Sequence, residues 1–202
     1  MNSEENEILT RLLGGKYSDV PSNIEGSPFL SEDFKNGKIL YKDKIIPGRL
    51  RYNVVKEEMH VLLQGQVFVL KEGMKVEIND KPFYKKQYRK DGRNYLGYFE
   101  AISKVENRPV WLLKKHFKKI RPGQAAGAMR PAKSPRYVDN SDFYLKINDS
   151  EPFKIHSRSK KFLKSLPKDH QEKIKIFIKE KKLTSRSEED LMKIMEYYNS
   201  LF

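Results

Sequence analysis

The residues of this 202-residue chain that could do chemistry lack the spacing that chemistry needs. His60, His116, His156 and His170 fall in no H-x-x-x-H or H-E-x-x-H pattern, and cysteine is absent. Zinc sites and thiolate nucleophiles are built from such clusters, so neither is indicated. Glu57 and Glu58 would point to opposite faces of a strand, which makes them a poor acid–base pair. Glu188, Glu189 and Asp190 sit where a helix begins, and there carboxylates complement the helix dipole. No G-x-S-x-G elbow occurs. The glycine-bearing stretch GQAAGAM (123–129) lacks both the preceding strand and the following Gly-Lys-Ser/Thr of a phosphate-cradling loop, and LLGGK (12–16) is too short a match. These residues give no catalytic group, no metal ligand and no cofactor, and the expectation is a protein that is not an enzyme.

What stands out instead is charge. The formal net charge is +14, and it is uneven: residues 1–36 carry seven acids against three bases, whereas residues 37–120 hold twenty bases against nine acids. A field of this kind draws the protein toward polyanions, acidic protein surfaces or anionic lipid without choosing among them. Its densest segment is FYKKQYRKDGRNYLGYF (83–99), where Lys85, Lys86, Arg89, Lys90 and Arg93 interleave with Tyr84, Tyr88 and Tyr95. Single-strand nucleic-acid binders use that mixture, with bases pairing phosphates and rings stacking on nucleobases. It equally suits a β-hairpin with a charged, solvated turn and half-buried rings. Lys114, Lys115, Lys118 and Lys119 around Phe117 form a second patch open to the same two readings.

These segments need a scaffold, and the apolar pattern supplies one. Ile8, Leu9, Leu12 and Leu13 make one stripe of a short helix over 2–13, with Gly14-Gly15 to end it. From about Lys38 to Ile120 the period changes to two. Leu50, Tyr52 and Val54 alternate with polar residues, and Met59, Val61, Leu63, then Met74, Val76 and Ile78, repeat the pattern. Turn signals fall at Gly65, Glu72-Gly73, Asn79-Asp80 and Asp91-Gly92, so an antiparallel meander forming a sandwich, roll or partly open barrel is expected. NYLGYFEAIS (94–103) and PVWLLKKHF (109–117) read as central strands, with Trp111 in the core. RPGQAAGAMRPAKSPR (121–136) has no periodicity and four bases without an acid. It reads as a mobile surface linker or as a segment that orders on a partner, with Arg130 and Arg136 as anchors. DFYLKIND (142–149) adds a strand and PFKIH (152–156) a possible hairpin partner. The tail is helical: one helix stops at Pro167, a second opens with Asp169 and Glu172 as a capping box, and a third is capped by Ser185 or Ser187. Ile174, Phe177 and Ile178, then Leu191, Ile194, Met195 and Tyr198, give the buried stripes.

Taken together, EGSPFLSEDF, LRYNVVKEEM, GYFEAI, LLKKHFKKI, FYLKIN and the tail LPKDHQEKIKIFIKEKKL with EEDLMKIMEYYNSL resemble a family of small, uncharacterised exported envelope proteins of Bacteroidetes-type bacteria. The likeness runs from about Glu25 to Leu201. That resemblance implies a signal peptide, a β-rich middle and a helical tail ending near EYYN, and it implies residence in the periplasm, the envelope or outside the cell. It carries over no catalytic residue. The acidic start, MNSEENEILTRLLGG, has no hydrophobic signal core, so export requires a signal absent from this sequence, and cytoplasmic residence follows if Met1 is the native start. No run of about 18 apolar residues is present to span a membrane.

The expectation is therefore an α+β chain in three parts: helix and connecting loop over 1–26, a mainly antiparallel β domain over 27–157, and a helical unit over 158–202. Its expected role is non-enzymatic binding of another macromolecule, as an accessory or structural subunit in the envelope. The partner is another envelope protein, or else an anionic surface of lipid headgroups or glycan. The alternative is a basic nucleic-acid-binding module of the cytoplasm; an unrecognised hydrolase ranks third.

Overall fold

The structure is a computed structural model and describes residues 3–18, 23–71, 74–103, 107–127, 130–156 and 159–202. Among these residues the chain is α+β, with four helices and one large antiparallel sheet of 11 strands that does not close. Helix α1 (Ser3–Leu12) leads directly into β1 (Leu13–Lys16). Strands β2 (Lys35–Tyr41), β3 (Lys44–Asn53), β4 (Glu58–Leu63) and β5 (Gln66–Leu70) follow, then β6 (Lys75–Ile78), β7 (Lys81–Lys90), β8 (Arg93–Ala101), β9 (Val110–Arg121), β10 (Arg136–Ile147) and β11 (Phe153–Lys154). The tail holds α2 (Ser159–Ser165), α3 (Lys168–Glu180) and α4 (Glu188–Asn199). No helix among the described residues is long and apolar enough to cross a membrane.

Two meanders make the sheet. Strands β2 to β5 pair in sequence, and so do β6 to β10; the break comes where β6 returns to pair with β2 rather than β5, in the order β1-β5-β4-β3-β2-β6-β7-β8-β9-β10-β11. The register Ile39↔Val76 and Ile39↔Ile46 puts apolar residues of three adjacent strands side by side. Turn chemistry follows the expected dipeptides. Gln64-Gly65, Asn79-Asp80 and Asp91-Gly92 each hold both central residues at positive φ, the geometry of the two-residue hairpin turn whose twist matches the strands. Glu72-Gly73 lies outside the described residues.

By its contacts the chain divides into two compact units, Met1–Lys85 with His116–Ser141, and Lys86–Lys115 with Asp142–Phe202. The first buries the alternating residues of its strands, among them Ile39, Ile46, Leu50, Met59, Val61 and Val76. Beside them Arg51 lies over the rings of Phe29 (3.7 Å) and Phe34 (4.5 Å). In the second unit, Val110 and Leu112 of β9 and Leu145 of β10 share one core with Phe162, Ile174, Leu191, Ile194, Met195 and Tyr198 of the helices. Each such side chain stabilises the fold by roughly 1.5–3 kcal/mol when fully buried. Strand β8 is buried continuously from Gly97 to Ala101, as its two-sided apolar pattern requires.

Several local expectations need correction. Asp169 does not cap α3: the N-cap is Pro167, with no side-chain cap bond, and Asp169 falls within the first turn, where its charge faces the helix dipole. Of the two serines expected to cap α4, it is Ser187 that does so, accepting from the Asp190 amide at 3.4 Å. Trp111 is only half-buried, because strand alternation turns it to the face opposite Val110 and Leu112. Gly14 and Gly15 do not simply end α1; they belong to β1, which pairs with β5. The segment over 121–136 lies on the surface, and its ends are shared with strands: β9 continues through Arg121, β10 begins at Arg136, and between them isolated bridges join Gln124 to Lys133 and Gly127 to Arg130.

Candidate functional site

The basic and aromatic segment 83–99 forms the hairpin of β7 and β8, turning at Asp91-Gly92. Alternation divides its charges. Lys85 and Lys86 are half-buried neighbours on opposite faces, whereas Arg89, Lys90 and Arg93 near the tip are exposed. Lys86 Nζ lies 5.5 Å from the Trp111 ring centre, and Lys146 Nζ, from β10, approaches the same ring at 4.9 Å. Burial pushes the Lys86 ammonium below its ordinary pKa, and the charge on Lys146 adds to the effect. Tyr88 meets Phe99 and Tyr144 edge to face, at 5.3 and 5.8 Å between centroids, and is itself buried. Burial raises the Tyr144 phenol pKa above its usual range, with Tyr88, Asp142 and Asp91 contributing. Tyr84 lies under Lys75 at 5.4 Å, while Tyr95 is 43% exposed. Most of the rings a stacking platform would use are therefore built into the fold.

The second patch is also largely engaged. Lys114 Nζ donates to Glu188 of α4 at 2.8 Å. Lys115 is 4% exposed and sits over the rings of Tyr88 and Phe99. Lys118 pairs with Asp139. Lys119 alone of the four is exposed, 5.7 Å over the Phe117 ring.

A different group of cations stands open. Between β9 and β10 the chain runs out and returns as an arm: Gln124 and Lys133 exchange backbone hydrogen bonds of 2.8 and 2.9 Å, and Gly127 and Arg130 exchange bonds of 2.9 and 3.2 Å. Every described residue from Arg121 to Ser134 is exposed. At the stem, Glu25 is zipped to the return strand, its amide donating to Pro135 O (2.8 Å) and its carbonyl accepting from Tyr137 N (2.9 Å). These walls border an open cleft of about 620 Å³, lined by exposed residues that include Glu25, Arg121, Gly123, Gln124, Lys133 and Arg136. The side chains of Arg121, Lys133 and Arg136 make no hydrogen bond or ion pair among the described residues. Of the two expected anchors, Arg136 lines this cleft and Arg130 lies farther out on the arm. Arg121 and Lys133 carried a signal in the acid-free run of bases; Glu25 carried none, because only tertiary pairing brings it there.

The histidines do not converge. His60 is buried, with Nε2 3.1 Å from Glu58 Oε2 and its ring 4.0 Å from that of Tyr17, while His156 is exposed and His170 packs near Tyr198 and Phe202. Glu57 is held apart from Glu58 by accepting from the Tyr52 hydroxyl at 2.6 Å. Among the described residues no group of three or more His, Asp or Glu could hold a metal ion.

Comparison with protein-family models, curated proteins and solved structures gives no match for this chain.

Proposed function

We propose that this chain is a non-enzymatic binding protein of the cell envelope or extracellular space, an accessory or structural subunit that joins an acidic partner protein through the arm over 121–136. One observation carries the reading: the arm is hydrogen-bonded into a hairpin yet all its described residues from Arg121 to Ser134 are exposed. Ordering a residue costs about 1–2 kcal/mol of backbone entropy, and an isolated two-stranded hairpin is marginal in water. Such an arm contributes little to its own fold; a partner surface is where its order is rewarded. Its four bases, unaccompanied by an acid within the segment, suit a negatively charged face. Envelope residence rests on the likeness of the segments between Glu25 and Leu201 to exported proteins.

The test is affinity purification of the full chain from native membranes, beside a variant whose residues 124–133 are replaced by a two-residue turn and a second carrying Arg130→Glu. One stoichiometric partner retained by the parent and lost by both variants is expected. Repeated recovery of the protein alone, or unchanged capture by both variants, would overturn the reading. A second reading, a nucleic-acid-binding module, is supported by the exposed Arg89, Lys90 and Arg93 beside the part-exposed Tyr95. It requires RNA or DNA binding at physiological salt that weakens steeply as salt rises and falls on charge reversal at those three cations.

A further inference from the structure

We infer that the cleft at the stem of the arm is a binding site for a phosphate or sulfate monoester carried on a hydroxyl-rich frame, such as a sugar. This goes beyond the partner-binding reading, because it names a small ligand for the stem and requires no second protein.

The walls are fixed by main-chain bonds. Gln124 and Lys133 are paired in both directions, and Glu25 is tied to Pro135 and Tyr137. Gly123 sets the closeness of the two walls: a Cβ there would stand 2.6 Å from Lys133 O and 3.0 Å from Pro135 N. A volume of about 620 Å³ suits a ligand the size of a small sugar ester, well above a lone ion.

The lining selects the chemistry. Arg121, Lys133 and Arg136 hold three positive charges on one cleft with no ion pair among the described residues, an arrangement that an oxyanion relieves. Guanidinium groups present planar forks of donors matched to phosphate and sulfate oxygens. Among the described residues Glu25 is the one carboxylate in the lining. It repels a second anionic group but accepts hydrogen bonds from hydroxyls, which disfavours a continuous polyanion and favours a single ester beside neutral hydroxyl groups. Gln124 and Ser134 add polar groups of the same use, and among the described residues no aromatic ring lines the cleft to stack a nucleobase.

Isothermal titration of the purified full chain tests this with glucose 6-phosphate, N-acetylglucosamine 6-sulfate, inorganic phosphate and glucose as probes. Saturable binding of at least one ester is expected, several-fold tighter than inorganic phosphate, with none for glucose; the tighter ester identifies which oxyanion the site takes. Arg136→Ala should weaken the ester at least tenfold, and Arg136→Lys, which keeps the charge and loses the fork, should weaken it less. Glu25→Gln should bring the ester toward the affinity of inorganic phosphate, and Arg130→Ala should leave it unchanged. Gly123→Ala, which alters no charge, should weaken binding by crowding the wall. No saturable ester binding, equal affinity for ester and inorganic phosphate, or parental affinity in Arg136→Ala would overturn the assignment. None of these results depends on a protein partner being captured by the arm.

Discussion

Asn199 closes the last helix onto the sheet, and its removal should destabilise the second unit. Its Oδ1 accepts from Val110 N at 2.9 Å, and its Nδ2 donates to Val110 O at 2.9 Å and to Met195 O at 3.0 Å. Val110 opens β9 and is fully buried, and both of its main-chain polar groups bond to this one amide. In Asn199→Ala the three bonds vanish together. Each is worth about 1 kcal/mol net, and a buried group left without a partner costs about 1–3 kcal/mol. Asn199 itself is half-buried, so water relieves part of the loss. The expected destabilisation is about 3 kcal/mol. With a urea dependence of roughly 2 kcal/mol per molar, the midpoint falls by about 1.5 M. Trp111, the one tryptophan in the chain, lies next to Val110 and reports the transition by fluorescence. Asn199→Asp is the sharper variant. It keeps an acceptor for Val110 N but turns a carboxylate toward two carbonyls, which raises the folded pKa of the introduced acid. The variant's relative stability is therefore greatest below the ordinary carboxylate pKa and declines as pH rises through the raised value. A midpoint within 0.3 M of the parent for Asn199→Ala, on the order of the error of such fits, together with unchanged hydrogen-exchange protection of the Val110 amide, would refute the clamp.

Gly37→Ala should destabilise the first unit by about 2–3 kcal/mol, read by urea unfolding, because a Cβ there would meet Glu77 O of β6 and stand 2.7 Å from Leu50 Cδ1 of β3. Tyr198→Phe should leave stability at pH 7 unchanged or raise it by up to about 1 kcal/mol, since the Tyr198 hydroxyl is buried with no hydrogen-bond partner among the described residues. Burial lifts that phenol from its ordinary value to about 12, so its contribution is intact below pH 10 and is lost as pH rises from there through about 12; Tyr198→Phe should show a smaller alkaline loss in a pH series of unfolding midpoints. Ser187→Ala should cost about 0.5–1 kcal/mol through loss of the α4 cap, and Ser187→Asp should recover most of it.

Legibility followed the range of the interactions involved. The alternation of Leu50, Tyr52 and Val54, and the stripe of Leu191, Ile194, Met195 and Tyr198, record which face each residue buries, and that depends on periods of two and 3.6 within a few residues. Turn dipeptides such as Asn79-Asp80 are equally local. The return of β6 to β2 was not legible, because it depends on which strands meet, as at Gly37 between Leu50 and Glu77. Trp111 was misread for a related reason: β9 is apolar on both faces near Val110, Leu112 and Leu113, so composition alone could not say which face lay toward the helices. At Pro167 a local rule prevailed over another. Proline at the start of α3 set the boundary before the Asp169 and Glu172 pair could act as a box. The segment 121–136 stood out by its bases, but its internal pairing was not legible because it uses main-chain groups, which Ala and Gly supply without any pattern of side chains.

The net charge of +14 overstates what a partner meets at close range. Lys38 faces Glu77, Lys44 pairs with Glu4, Lys114 with Glu188, Lys118 with Asp139 and Lys154 with Asp142. Exposed pairs of this kind add about 0–1 kcal/mol each to stability, yet they remove cations from recognition. At physiological ionic strength fields fade over about 8 Å, so discrimination falls to cations that stand together without acids. The segments richest in lysine do not meet that condition, because strands send neighbouring residues to opposite faces and aromatic rings or carboxylates engage many of them. The arm does meet it. Arg121, Arg130, Lys133 and Arg136 lie on two short runs of chain joined by main-chain bonds, with Glu25 as the only acid among the described residues lining the cleft at their stem. A segment poor in side-chain pattern thus presents the better defined charge, and its definition comes from backbone pairing rather than from the number of bases.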